Sequence, residues 1–246
     1  MPIESSKPHQ RLYETVRARV IDRLHSGEWS PGDRIPTESQ LAAEFGVGIG
    51  TIRRAVEALV AEGVLIRRAR LGTTVAKLTD DHRYDHYFSF VDAAGRAVKP
   101  GARMLSFKRE AANAEVIAAL RLRRGTRVAR IDNLRMVDGA PIMLDRLWVS
   151  LEYFAGLNPA QFTARTGSIY GFYQEHYGVS VVRVIEDLGA CPADAALAEA
   201  LGVEVGAPLL CIQRTAFTYN DTPIEFRMRF VHSTACRYRN VRGLQD

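Results

Sequence analysis

The chain has 246 residues, 47% of them hydrophobic and 25% charged, with a formal net charge of +5. That is enough apolar material for two compact cores, and the absence of any run of about 18 apolar residues argues against a membrane-spanning segment. Residues 1–78 hold 12 Lys+Arg against 9 Asp+Glu, so the positive excess is spread over the chain and local clusters must carry any argument for a polyanion partner.

The polar start, Met1-Pro2-Ile3-Glu4-Ser5-Ser6-Lys7, has no signal-peptide core, and residues 1–9 are expected to be disordered. A first helix follows from the four-residue spacing of Leu12, Val16, Val20 and Leu24, with Ile21 beside them. Gly27 and Ser30-Pro31-Gly32-Asp33 then break it. Thr37, with Gln40 three residues on, predicts a capping box for a second helix that buries Leu41, Ala42 and Phe45 and stops at Gly46. A third helix is expected from Gly48 to Glu62, with Ile52, Val56, Leu59 and Val60 facing inward. Val64–Arg68 and Thr73–Ala76 read as paired strands around a tip at Ala69-Arg70-Leu71-Gly72.

Helix, turn, helix and basic ribbon in this order present one helix to a DNA major groove and a loop to the minor groove beside it. Arg34, Thr37, Glu38, Ser39, Thr51, Arg53, Arg54, Arg67, Arg68, Arg70, Gly72 and Thr73 form the candidate DNA-binding set. Arg53 is expected to read a base edge or a phosphate, and the other arginines to hold phosphates. A packing or protein-interaction module is the alternative, and the basic wing argues against it.

Residues 10 to 76 resemble the N-terminal domain of the GntR family of bacterial transcription regulators. The resemblance lies in Pro31-Gly32-Asp33-Arg34-Ile35-Pro36, Thr51-Ile52-Arg53, Glu62-Gly63-Val64-Leu65, Arg67-Arg68 and Gly72-Thr73. The family commonly carries Arg at the position of Ser39, Ser or Thr then Arg at Gly48-Ile49, and Gly at Arg70. Two frequent DNA-contacting arginines are therefore missing here and one is gained at the wing.

The polar stretch 77–86 reads as a linker, and His82 and His86 within it lack a third metal ligand nearby. Cys191, Cys211 and Cys236, odd in number and widely spaced, are expected to be reduced structural thiols of a cytoplasmic protein.

Residues 87–242 contain a duplication. Ala118–Leu122, Gly125, a strand at 126–137, a turn at Asp138-Gly139 and a strand at 141–149 recur as Glu199–Val203, Gly206, 207–218, Asn220-Asp221 and 223–231. Two helix-plus-hairpin units predict a pseudo-symmetric α+β domain with an antiparallel sheet of six or so strands and helices on one side. The two-residue period places Phe226, Met228 and Phe230 on one face and Glu225, Arg227 and Arg229 on the other. Met143, Asp145, Leu147 and Val149 share a face, as do Asn133 and Arg135. The charged face is either solvated or the wall of a polar ligand pocket.

Residues 84 to 239 resemble the UTRA effector-binding domain of the HutC branch of GntR regulators, which has the chorismate lyase fold. The matching pieces are Leu134-Arg135-Met136, Asp138–Ile142, Ser168-Ile169-Tyr170, Pro208-Leu209-Leu210 with Arg214, and Thr222-Pro223-Ile224-Glu225. The resemblance implies an effector site at Asn133, Arg135, Asp145, Ser168, Tyr170 and Glu225, to which Arg227 is added from the strand pattern. Asn133 replaces an arginine of the family, Asp145 replaces a glutamate, and the aromatic expected after Glu225 is displaced. Together with Arg227 and Arg229 this favours a carboxylate over a sugar phosphate. Ser168 also suits the start of a helix carrying Tyr170, Phe172, Tyr173 and Tyr177, whose rings read as core.

The expected protein is a homodimeric, cytoplasmic one-component regulator, a repressor that binds operator DNA under control of a small anion. It is expected to need no cofactor or metal and to catalyse no reaction. A chorismate-lyase-like enzyme and a regulator with a non-functional effector site are the alternatives.

Overall fold

The computed structural model describes residues 8–68, 71–76, 89–234 and 236–240, with side chains from Leu12 onward. Arg70 and the expected linker, with His82 and His86, lie outside the described residues.

Helix α1 (Pro8–His25) begins with proline, whose missing N–H costs nothing at a first helical position. It therefore starts inside the stretch expected to be disordered. Val16, Val20, Ile21 and Leu24 are buried, whereas Leu12 remains 41% exposed, so the apolar stripe begins a turn later than its spacing suggested. Helix α2 (Glu38–Phe45) carries the capping box, Thr37 and Gln40 each satisfying the other's backbone, and closes on Gly46 in the left-handed region. Helix α3 (Ile49–Ala61) has Gly48 at its cap without a side-chain bond, and buries Ile52, Ala55, Val56 and Leu59. Strands β1 (Leu65–Arg68) and β2 (Gly72–Val75) pair antiparallel, Arg68 opposite Gly72. This is a winged helix-turn-helix.

The second domain opens with β3 (Phe90–Val91) and then builds two copies of strand, helix and hairpin. The first copy is β4 (Gly101–Ala111), α4 (Ala114–Leu120), β5 (Arg127–Val137) and β6 (Ala140–Ser150). Helices α5 (Pro159–Ala164) and α6 (Ile169–Tyr177) intervene. The second copy is β7 (Arg183–Pro192), α7 (Ala195–Leu201), β8 (Pro208–Thr218) and β9 (Thr222–Val231), and β10 (Arg237–Tyr238) pairs with β3. The six long strands form one antiparallel sheet in the order β4-β5-β6-β9-β8-β7, so the copies meet at β6 and β9. The first hairpin turns through two consecutive left-handed residues, Asp138-Gly139, the twist that two-residue hairpins require, whereas the second turns through three, Tyr219–Asp221, of which Asn220 and Asp221 are left-handed.

Helices α4 and α7 cover one face, packing on Trp148 and Phe226 and on Leu134 and Leu144 respectively. The other face is not bare, as helices on one side alone would leave it. Helices α5 and α6 cover Ala129, Ile131, Leu147 and Val149, and the β3–β10 ribbon closes over Met143, Ile212 and Val231. Between those two apolar patches lie the charged residues of the strands. The duplication accounts for α4 and α7 but not for α5 and α6, which belong to neither copy.

Cys191 and Cys211 are joined in a disulfide between β7 and β8, and only Cys236 is free, contrary to the expectation of three thiols. Their strands are neighbours, which spacing along the chain does not reveal. The β8–β9 turn enters the first domain: Tyr219 packs in the winged-helix core, with its ring 5.3 Å from His25. Gln174 of α6 donates to the Ala76 carbonyl (3.4 Å). No helix of the described residues is long and apolar enough to cross a membrane.

Candidate DNA-binding face and effector site

Helix α3 turns Thr51, Arg53, Arg54 and Glu57 outward because its apolar residues fall on the opposite face. Glu38, the first residue of α2, accepts a hydrogen bond from Arg53 Nε on α3 (3.0 Å) and another from Arg67 Nη2 on β1 (2.8 Å). Glu57 lies 3.8 Å from the same Arg67 group. One carboxylate thus ties the recognition helix to the wing and fixes both arginines before any DNA arrives. Arg54 is placed differently, its guanidinium 5.8 Å above the Tyr13 ring. Arg34 lies against the wing, where a Cβ on Gly72 would come within 3.0 Å of its Nε; at φ +85° glycine suits both the space and the backbone. Arg68 and Ser39 are exposed, Thr73 is half-buried, and the Thr37 hydroxyl is engaged in the capping box. Ile49, at the helix start, is an exposed apolar residue where an arginine was expected.

The charged sheet face is buried, which removes the solvated alternative. Asn133, Arg135, Asp145, Arg214, Glu225, Arg227 and Arg229 are each at most 7% exposed. Asp145 is the hub. It accepts from Arg229 Nε (2.6 Å) and Nη2 (3.2 Å) and from Arg135 Nε (3.1 Å), with Arg227 Nη1 3.7 Å away. Burial pushes the Asp145 carboxyl upward, but Arg229, Arg227 and Arg135 outweigh it and hold the group well below the usual carboxylate range. Glu225 accepts from Arg227 Nε (2.9 Å), Tyr173 (2.6 Å) and Tyr170 (3.4 Å). Burial followed by the Glu225 charge raises both tyrosine hydroxyls, so they act as donors. Arg214 reaches the Tyr170 hydroxyl (3.4 Å) and Glu186 on β7 (2.7 Å), and Tyr238 also donates to Glu186 (2.7 Å). Ser168 caps α6, its Oγ accepting from Gly171 N (3.0 Å).

Residues 12–75 match the family described as bacterial regulatory proteins, gntR family, and residues 95–237 match the UTRA domain. The chain belongs to the GntR family. It is 30% identical to the probable fructoselysine utilization operon transcriptional repressor of Escherichia coli K12, over 88% of each chain. It is 27% identical to the transcriptional repressor NagR of Bacillus subtilis, over 90% of this chain and 93% of the relative. A ligand-binding domain of a GntR-family regulator from Bordetella bronchiseptica superposes with a TM-score of 0.60 at 33% identity, over 64% of this chain and 98% of that one. This GntR protein is accordingly a DNA-binding transcription regulator whose C-terminal UTRA domain binds an effector.

In the UTRA domain the structure brings Arg135, Asp145, Tyr170, Glu225 and Arg227 into one network, with Asn133 beside it on β5. Sequence reasoning missed Glu186, because β7 itself was missed. It favoured a core role for Tyr173, which its ring fills, while its hydroxyl also donates to Glu225. Arg214 was visible as part of a motif but not as a member of the cluster.

Proposed function

We propose that this GntR protein is a homodimeric, cytoplasmic repressor that releases or rebinds its operator in response to a small anionic metabolite. Arg135 and Arg227 hold the anion, and Ser168 with the start of α6 completes the site. The observation that carries this reading is a charge imbalance. Four buried guanidiniums, of Arg135, Arg214, Arg227 and Arg229, face three carboxylates, of Asp145, Glu186 and Glu225. Each arginine already touches an acid, so the anion enters by supplementing Asp145 and Glu225, not by rescuing bare cations. Buried charge of one sign in excess favours an added anion.

Two winged helices are needed because one short recognition helix contacts too few bases; a dimer spaces two half-sites about one DNA turn apart. The relatives' names support repression, and the mutual locking of arginines and acids supports a binding site over a catalytic one. The test is Arg227→Ala, followed by thermal shift and by operator titration with and without a panel of small carboxylates and sugar phosphates. Loss of both the thermal shift and the ligand's effect on operator affinity is expected, since binding linkage makes the two effects reciprocal. A variant that responds like the parent removes Arg227 from the site.

A further inference from the structure

Buried polar atoms are nearly always paired, so the exceptions locate unfinished business. Among the described residues five buried side-chain atoms have no hydrogen-bond partner: Ser106 Oγ, both amide atoms of Asn133, Arg165 Nε and Arg227 Nη2. The last of these lies 2.6 Å from Glu225 Oε1 but out of line for a bond. Three of the four residues surround the anion cluster.

Asn133 is fully buried. It sits directly opposite Asp145 across β5 and β6, which places their backbones about 5 Å apart. It also precedes Arg135 by two residues on the same face. Its equivalent in the second copy, at the same 81-residue offset as α4 and α7, is Arg214, which is fully engaged with Tyr170 and Glu186. The first copy thus keeps an idle donor and an idle acceptor where the second copy has a bonded guanidinium. Leaving such an amide buried and unpaired is costly, a burden that a bound partner would remove.

Arg165 follows α5, with its guanidinium 4.0 Å from the Phe162 ring centre and Nη1 donating to the Phe162 carbonyl. It forms no ion pair with a described carboxylate, although its Nε is buried. Burial, with Arg135 and Arg227 nearby, pushes its pKa down to about 10 against the opposing pull of Tyr173 and Asp145. It is a further cation at the edge of a cluster that already holds an excess of them.

We infer that Arg165 and Asn133 read the ligand directly, and that the ligand is a carboxylate bearing a hydroxyl or amide one or two bonds from its acid group. This rests on the anion-site reading above. Arg165, whose buried Nε has no hydrogen-bond partner, takes the carboxylate together with Arg227, which stays paired with Glu225. Asn133 needs a group that both donates and accepts, which a neighbouring hydroxyl or amide supplies. A fully ionised phosphate offers acceptors only and would leave Asn133 Oδ1 idle.

The experiment compares propionate, lactate, N-acetylglycine and inorganic phosphate by thermal shift and calorimetry at constant ionic strength. With the parent protein, lactate or N-acetylglycine should act at a concentration about tenfold or more below propionate, the discrimination expected of a buried polar reader. Asn133→Leu should erase that gap without weakening propionate, and should raise the ligand-free melting temperature by removing an unpaired amide. Arg165→Ala should weaken every carboxylate about tenfold, with Arg165→Lys recovering part of the loss. Equal binding of propionate and lactate by the parent, a gap that survives Asn133→Leu, or parent-like binding by Arg165→Ala overturns the inference. If Arg227→Ala still abolishes binding in those cases, the anion site stands and only its readers are wrong. No binding of any probe by the parent overturns both.

Discussion

Asp145→Asn should be among the most damaging single-atom changes available in this protein. The parent carboxylate accepts three hydrogen bonds from two guanidiniums and lies 3.7 Å from a third, all in a region closed to water. An amide keeps the shape but removes the charge, and its NH2 would face guanidinium donors. Charge-assisted hydrogen bonds are worth about 1.5–3 kcal/mol each, yet they are not additive, because the arginines can shift toward Glu225. Breaking a buried ion pair from one side costs about 3–5 kcal/mol, and that is the loss expected here. At roughly 2–4 °C per kcal/mol for a chain of this size, the melting temperature should fall by about 6–20 °C. Glu62→Gln provides the comparison, since Glu62 is exposed and its partner Arg17 only half-buried, and such a pair is worth about 1 kcal/mol or less. Differential scanning calorimetry measures both. Sulfate should restore the Asp145→Asn protein more than the Glu62→Gln protein, the latter reporting only general salt effects. A loss below about 1 kcal/mol for Asp145→Asn would show that water reaches these guanidiniums, and the charge-imbalance argument would fall with it.

Arg53→Ala should cost roughly 1–3 kcal/mol of operator affinity in a sequence-dependent way, whereas Arg68→Ala should weaken all DNA about equally and flatten the salt dependence; binding titrations on operator and random duplexes separate the two. Stability should fall on acidification: Asp145 and Glu186 are both held below their ordinary values, burial notwithstanding, by Arg229, Arg227 and Arg135 in the first case and by Arg214 in the second. Their contribution is full above the unfolded-chain values near 4 and is lost as pH drops through the depressed native values, so denaturant midpoints should decline below about pH 4 and stay flat from these groups above about pH 5.5. Tyr219→Ala should leave the winged helix able to bind DNA while reducing the effector's influence on operator affinity; an unchanged ligand response would show that the Tyr219 contact transmits nothing.

The sequence made some of this legible through strong local signals. Asp138-Gly139 and Asn220-Asp221 mark hairpins because few residues tolerate two consecutive left-handed positions, and Thr37 with Gln40 marks a helix start by reciprocal bonding. The outer strands β4 and β7 escaped because both are edges. Gly101–Ala111 contains Arg103, Lys108, Arg109 and Glu110, and most of β7 is exposed, so neither shows the apolar alternation of a half-buried strand. Missing β7 had two further consequences. It hid Glu186, and it hid the adjacency of Cys191 and Cys211. The period-two rule did place Arg135, Asp145, Glu225, Arg227 and Arg229 on one face, but periodicity cannot say whether a charged face is wet or dry. That depends on α5, α6 and the β3–β10 ribbon closing over it, which is a property of tertiary packing.

The position of β9 explains how one domain can answer to the other. This strand carries Glu225, Arg227 and Arg229 in the buried charged cluster, and the turn that feeds it places Tyr219 in the core of the winged helix. The same turn is pinned from two sides, since Asp221 accepts from Arg121 at the end of α4 and from Arg183 at the start of β7. A sheet strand is stiff along its length, so a change in how the arginines share Asp145 and Glu225 acts on the segment that anchors the DNA-binding domain. Only a few kcal/mol of preference for one arrangement over another is needed to alter operator affinity many-fold. A single ion-pair rearrangement at Asp145 is of that size.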